Sequence, residues 1–366
     1  MSVSYGGDSI TFADGSVNSS GFIGNRNRII NGAMVIDQRN VGASFTPTAG
    51  SYSIDRWTWY VSQSSKLTTQ QSTVAPLGFS NSMLVTSSSA YSVISTDYNF
   101  VRQGIEGFNV ADLMWGTANA QPITLSFWVR SSLTGTWGGQ ILSSNSGSCY
   151  VYSYTINQAN TWEYKTITIP GPTSYTWYTD NRAGMYVSFN LGAGSSRLVG
   201  STGWVATIGA GADSVTGSQS LVGTSGATWY LTGVQVERGS TASSFEYRSY
   251  GAEKLLCMRY YEKTYNDDEA PNRVNPNTAN ALTGVATSTT NIACHWKFSV
   301  PKRASATVQY YSWNGTGAGK WANLGNTDFT VSTPWGAGYT GFSRLDSTGL
   351  TAGAFYWGFA AADAEL

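Results

Sequence analysis

Short runs of β-branched and aromatic residues, each broken off by Gly, Ser, Asn or Asp, recur along the sequence and restrict it to folds built from strands. The clearest occupy residues 123–129, 164–169, 185–189 and 229–236. Runs so short and evenly spaced predict a sandwich or jelly roll, in which alternate residues point to opposite faces. In the first run Ile123, Leu125, Phe127 and Val129 then face one way and Thr124, Ser126 and Trp128 the other, so Trp128 is the ring to expect outside. The best helix candidate is 251–260, where good helix formers cluster and Leu255 and Met258 share a face. After it come a polar, proline-bearing loop at 266–276 and a second strand set at 295–300, 306–311 and 354–359.

At 366 residues the natural division is two units, each able to bury a core. The expectation is an all-β chain of two β-sandwich or jelly-roll domains, 26–249 and 262–366. They are joined by 250–261 and preceded by a Gly/Ser/Asn-rich extended lead, 1–25. No repeat of fixed period is present, which argues against a propeller or a regular β-helix.

Charge narrows the function. Charged residues are 11%, against about 25% in an average soluble protein, so the surface is one of hydroxyls and amides. Lys+Arg and Asp+Glu balance at 21 each, which removes the footprint of a nucleic-acid or anionic-membrane binder. Neither a leader nor the roughly 20 apolar residues of a membrane span is present in the sequence, so neither secretion nor membrane insertion is expected. Cys149, Cys257 and Cys294 are odd in number, far apart and without metal-ligand spacing. They read as buried free thiols made in a reducing cytosol. No cofactor is implied, because Gly192-Ala-Gly194 and Gly315-Thr-Gly317 are turn glycines with no phosphate-cradling lysine behind them.

Catalysis has little to work with. His295 is the only histidine, so any triad, dyad or imidazole metal site would pivot on it, and its strand neighbour Cys294 must point to the opposite face. It reads as a satisfied sheet residue. The acids Asp267-Asp-Glu269 sit in the proline-bearing loop, where clustered carboxylates are usually solvated, so no catalytic residue is assigned.

Aromatics among small polar residues carry more information, since a sugar's apolar face stacks on an exposed ring while amides and Arg meet its hydroxyls. Tyr175, Trp177 and Arg182 form one such stretch; Trp313, Trp321, Trp335 and Tyr339 form another in Gly-rich loops near the carboxyl end. Both are candidate glycan contacts, set against the ordinary expectation that a given Trp belongs to a core or a subunit interface.

Several segments resemble phage tail-fibre and minor virion proteins, and together they cover nearly the whole chain. These are Asp8-Ser-Ile-Thr-Phe-Ala-Asp-Gly-Ser-Val17, Asn27-Arg-Ile-Ile-Asn-Gly-Ala-Met-Val-Ile-Asp-Gln-Arg39 and Tyr52-Ser-Ile-Asp-Arg-Trp57. Further along stand Gly233-Val-Gln-Val-Glu-Arg-Gly239, Phe245-Glu-Tyr-Arg248, Glu253-Lys-Leu-Leu-Cys-Met-Arg-Tyr-Tyr261 and Phe298-Ser-Val-Pro-Lys-Arg-Ala304, with Ala361-Ala-Asp-Ala-Glu-Leu366 at the close. The resemblance implies a homotrimeric tail fibre or similar appendage, synthesised in host cytoplasm and carried on the virion. Its lead would dock to other virion proteins, its junction at Leu255 and Met258 would meet between subunits, and its carboxyl-terminal domain would face a host-surface glycan. A purely structural capsid-bound fibre, knob or decoration protein is one alternative, and a glycan depolymerase the other. The first domain also resembles carbohydrate-binding jelly rolls, which often carry calcium near the final strand. Residues 230–237 lack the acidic pair that six to eight oxygen ligands would call for, and no metal is expected.

Overall fold

The structure is a computed structural model describing residues 26–145, 147–206, 212–335 and 337–366, with the backbone of three short lead strands, β1 (Ser4–Gly6), β2 (Ser9–Thr11) and β3 (Val17–Asn18). Side chains of 1–25 and 332–336 lie outside the description, and with them the docking role expected of the lead.

The first unit runs through β4 (Thr58–Val61), β5 (Leu67–Ser72), β6 (Ser82–Ser87), β7 (Tyr98–Glu106), β8 (Ile123–Ser131), β9 (Gly135–Ser143) and β10 (Ser148–Ile156). It continues through β11 (Glu163–Ile169), β12 (Ala183–Ala193), the short β13 (Leu198–Val199), β14 (Gly203–Ala206), the short β15 (Ser214–Val215) and β16 (Thr228–Arg238). Two sheets result, ordered β14-β10-β9-β12-β7-β4 and β11-β8-β16-β6-β5. Their pairings are antiparallel throughout, and the inward residues of both meet in one core. Phe189 of β12 marks its centre, with the rings of Phe127 and Trp229 from the facing sheet at 5.1 and 5.9 Å. The β8 alternation holds: Ile123, Leu125, Phe127 and Val129 are fully buried, and Trp128 stands half-buried outside against Tyr164. β16 breaks register between Thr232 and Gln235, where Gly233 takes a left-handed backbone (φ 62°). A Cβ there would meet the Phe79 ring at 2.7 Å and the Trp128 ring at 3.1 Å, so the bulge needs glycine.

Helix α1 (Tyr250–Met258) follows, its first turn capped by the Ser249 hydroxyl, which accepts from the Ala252 amide. Glu253 turns back to accept from the Asn31 amide and from Arg248. Cys257 and Tyr260 pack on Ile30 and Ile36. Leu255 is 52% exposed and Met258 is half-buried.

Beyond it come β17 (Tyr261–Lys263), β18 (Leu282–Ala286), β19 (Asn291–Lys297), β20 (Thr307–Tyr311), β21 (Lys320–Asn323), β22 (Asp328–Trp335), β23 (Gly341–Ser347) and β24 (Phe355–Asp363). Here the sheet closes. β24 pairs with β18, then β19, β23, β22 and β21 follow in turn, and β21 returns to β24. The all-β class therefore holds, but this sheet is a barrel rather than two facing layers. On the interior face of β24 stand Tyr356, Gly358 and Ala360, and a Cβ at Gly358 would overlap the Trp321 ring, so the small residue leaves room for that indole.

Polar pairs weld the barrel to the first unit. Arg259 donates to both Glu106 oxygens at 2.6 and 2.9 Å, and the Tyr260 hydroxyl donates to the same carboxylate. Arg39 reaches Asp363 at 2.9 Å, Arg56 pairs with Glu365, and Arg303 donates to the Asn181 carbonyl.

Candidate functional site

The stretch from Tyr175 to Arg182 lies where two loops cross. Residues 110–121 leave the end of β7, and residues 170–182 lead into β12. The crossing is tight: the Gly116 amide donates to the Pro172 carbonyl at 2.8 Å, and a Cβ on Gly116 would overlap the Tyr175 carbonyl. Gly116 has φ 86°, and two non-glycine residues beside it are also left-handed, Met114 (φ 53°) and Tyr175 (φ 69°). Such backbone is costly for a side chain with a Cβ, and its clustering marks a segment held in place by its surroundings.

Between the loops is a cavity of about 360 Å³. Trp115, Trp177, Val110 and Met185, all buried, form its floor; Met114, Thr117, Asn119, Tyr178 and Thr179 stand nearer the solvent. Trp115 and Trp177 meet edge-on at 4.6 Å (79°), and Trp204 closes on both at 5.7 and 5.9 Å, again near perpendicular. The indole N–H of Trp115 donates to the Gln121 carbonyl and that of Trp204 to the Pro170 carbonyl. The N–H of Trp177 is buried without an acceptor. Among the described residues, no carboxylate, imidazole, thiol, lysine or arginine lines the cavity. An ion pair stands just outside it, where Arg182 meets Asp180 at 2.6 Å and lies 3.5 Å over the Tyr178 ring. That guanidinium holds the Asp180 carboxyl below its usual value.

The sequence-predicted residues divide accordingly. Trp177 is in the floor; Tyr175, 46% exposed, belongs to the supporting loop, and Arg182 steadies Tyr178 from outside. In the barrel, Trp321 is not a surface residue. It is fully buried, its ring lying on Gly358 and edge-on to Tyr310, because β21 turns it inward to fill the closed barrel. Trp335 is in β22 opposite Arg344, but its side chain lies outside the described residues. Tyr339 is exposed, and Trp313 packs against Trp357 at 5.1 Å rather than against Tyr339. Trp357 points outward with Phe355, so the barrel carries a second aromatic patch with a different membership from the one expected. On the outer face of the six-stranded sheet Arg102 is held between Tyr60 and Tyr186, at 4.0 and 3.8 Å.

The remaining candidates lie outside this cavity. His295 faces outward and Cys294 inward, as strand alternation requires, but His295 is exposed rather than enclosed by partners. Asp267 pairs with Lys254, and Asp268 is exposed. Glu269 departs from the expected solvated cluster: it is buried, accepting from the Asn277 amide at 2.9 Å. Glu237 on the last strand of the first unit already accepts from Ser243 and Gln235, and no group of metal-ligating side chains is found among the described residues. All three cysteines are free and buried.

Trp115, Met114, Asn119 and Trp357 were missed in the sequence. Met114-Trp-Gly-Thr-Ala-Asn119 has the composition that singled out the other loops, a Trp beside Gly among small polar residues, and that signal was there to be read.

No family model matches the chain and no curated protein matches it. Solved structures do match at low identity. The enzymatically active domain of bacteriophage CBA120 tailspike protein 4 is 15% identical with a TM-score of 0.29, over 58% of this chain and 22% of that one. A family 4 carbohydrate-binding module is 17% identical (TM-score 0.28), over 57% of this chain and 98% of its own. A family 11 carbohydrate-binding module from Clostridium thermocellum, in complex with a β-1,3-1,4-mixed-linked tetrasaccharide, is 13% identical (TM-score 0.27), over 56% and 98%. The chain thus spans about a fifth of the tailspike domain's length, and the likeness to all three is one of fold alone.

Proposed function

We propose that this chain is a non-enzymatic glycan-binding appendage of a tailed-phage virion, acting as a homotrimer that attaches the particle to its host. The observation that carries the binding part is the cavity between the 110–121 and 170–182 loops, apolar below and edged by hydroxyl and amide groups. Sites for small neutral ligands have this construction: apolar walls give affinity, and a few polar groups fix orientation. Hydrolysis of a glycoside needs two carboxylates about the bond, and the cavity lining holds none, which favours the binder over the depolymerase. The virion assignment rests on the sequence resemblance. In a trimer three cavities would act together, raising the affinity of individually weak sugar contacts by about 10²–10⁴ where geometry allows simultaneous engagement.

The test is a glycan array probed with the full chain, alongside Asn119→Ala, an exposed rim substitution that spares the fold. Binding to a defined subset, weakened about fivefold by loss of one amide contact, supports the reading. Silence across the array and in adsorption competition on host cells refutes it.

A further inference from the structure

We infer that the ligand of this cavity is a neutral sugar bearing an acetyl group, and that the acetyl methyl, not the sugar ring, is what the tryptophans hold. The inference rests on the glycan reading above and names the ligand class within it.

The ring geometry leads there. A pyranose stacks on an open indole face, but Trp115 and Trp177 are only 8% and 7% exposed, and with Trp204 they form three mutually perpendicular contacts (79°, 88° and 82°). Each ring spends its face or edge on its neighbours, so the floor offers a crevice of ring edges, Val110 and Met185, with Met114 at the mouth. A crevice of that kind suits a small apolar group. Thioethers shape themselves around a methyl, and two of the lining residues are methionine.

Polarity limits the rest of the ligand. An acetyl group joins its methyl to a carbonyl oxygen that needs a donor, and the rim supplies the Asn119 side-chain amide and the Thr179 and Tyr178 hydroxyls, the Thr117 hydroxyl being spent on the Met114 carbonyl. No cationic side chain lines the cavity, so a uronate, sialate or phosphate entering it would lose solvation without a counter-charge. Guanidinium groups beside the two loops are already engaged, Arg182 with Asp180 and Arg28 with Asp112. The volume agrees: about 360 Å³ falls in the range of small-ligand sites. The left-handed backbone at Met114 adds an independent sign. A long apolar side chain is kept at the mouth where Gly or Asn would fit the backbone better.

The full chain is titrated by saturation-transfer NMR and calorimetry with the methyl glycosides of N-acetylglucosamine, glucose and glucuronic acid, and with 6-O-acetylglucose. Both acetylated sugars are expected to bind at least about tenfold more tightly than glucose, with the strongest saturation on the acetyl methyl, and glucuronic acid not to bind. A preference for one acetylated sugar over the other identifies the linkage. Ala111→Trp, which places a ring over the mouth from an exposed position, should abolish this binding with no change in melting temperature. Glucose binding as well as the acetylated sugars, or full binding by Ala111→Trp, overturns the acetyl assignment while leaving glycan binding intact. If the array is silent and no sugar binds, the glycan reading falls with it.

Discussion

Replacing Trp321 by Ala should damage the barrel and leave ligand binding in the first unit untouched. Trp321 is fully buried, with Tyr310 edge-on at 6.3 Å and Gly358 beneath it, which has no side chain to refill the space. Removing a buried Trp costs about 3–5 kcal/mol in lost transfer energy and cavity. Part of that is offset, because the indole N–H is buried without an acceptor and deleting it relieves an unmet desolvation of order 1 kcal/mol. The net loss expected is about 2–4 kcal/mol. At about 4–8 °C per kcal/mol for a unit of this size, the barrel transition should fall by roughly 8–32 °C. Trp313→Ala, removing a half-buried ring whose main partner is Trp357, should cost only about 1 kcal/mol. Urea and thermal melts followed by near-UV circular dichroism measure both. A Trp321→Ala protein that melts within about 2 °C of the parent yet adsorbs poorly to cells would refute the burial argument and return this residue to the surface.

Other perturbations are equally specific. Burial works against ionisation of Glu163, but Lys165 and the Gln158 and Asn157 donors prevail and bring its carboxyl down to about 2. The stability it contributes is therefore full above the ordinary value of 4.5 and is lost as pH falls toward 2, so the melting deficit of Glu163→Gln should be largest at neutral pH and vanish in acid. Burial pushes the Cys149 and Cys294 thiols up to about 12 and raises Cys257 as well, so a thiol reagent at neutral pH should count none in native protein and three in denatured protein. Two native thiols reacting quickly would contradict the packing. Gly233→Ala must accept a left-handed backbone and displace the Phe79 and Trp128 rings, which should cost about 2 kcal/mol in a urea titration; an unchanged midpoint would mean the bulge relaxes freely.

The class of fold was legible because period-two alternation is a local property. Each residue of 123–129 announces its face without reference to anything distant, and the same holds for Ile292, Cys294 and Trp296 inside β19. Closure of the barrel was not legible, since β21 meets β24 across some thirty residues and either strand alone reads as a sandwich strand. The same non-locality misled the reading of Trp321. A Gly-rich flank signals a turn, but whether the neighbouring ring points in or out depends on the strand parity beyond that turn. The cavity was half legible. The loop holding Trp177 was noticed for its composition, but its partner Trp115 lies 62 positions away, and only the crossing of the loops at Gly116 brings the two rings together.

Closure through β24 has a consequence for how copies are made. That strand is a mate to β17, β18, β20 and β21, so four earlier segments keep unpaired edges until it is delivered. Translation supplies about 5–20 residues per second, and β17 therefore waits several seconds for the strand that completes it, while the first unit already has all its strands out. During that interval each nascent chain displays a finished sandwich and an open, edge-bearing half-barrel. Chains growing side by side on one message are then exposed to strand exchange, each β24 choosing between its own seam and a neighbour's. Phe359, fully buried with its ring stacked on Tyr265 at 4.6 Å, ties that strand to the loop after β17 of its own chain.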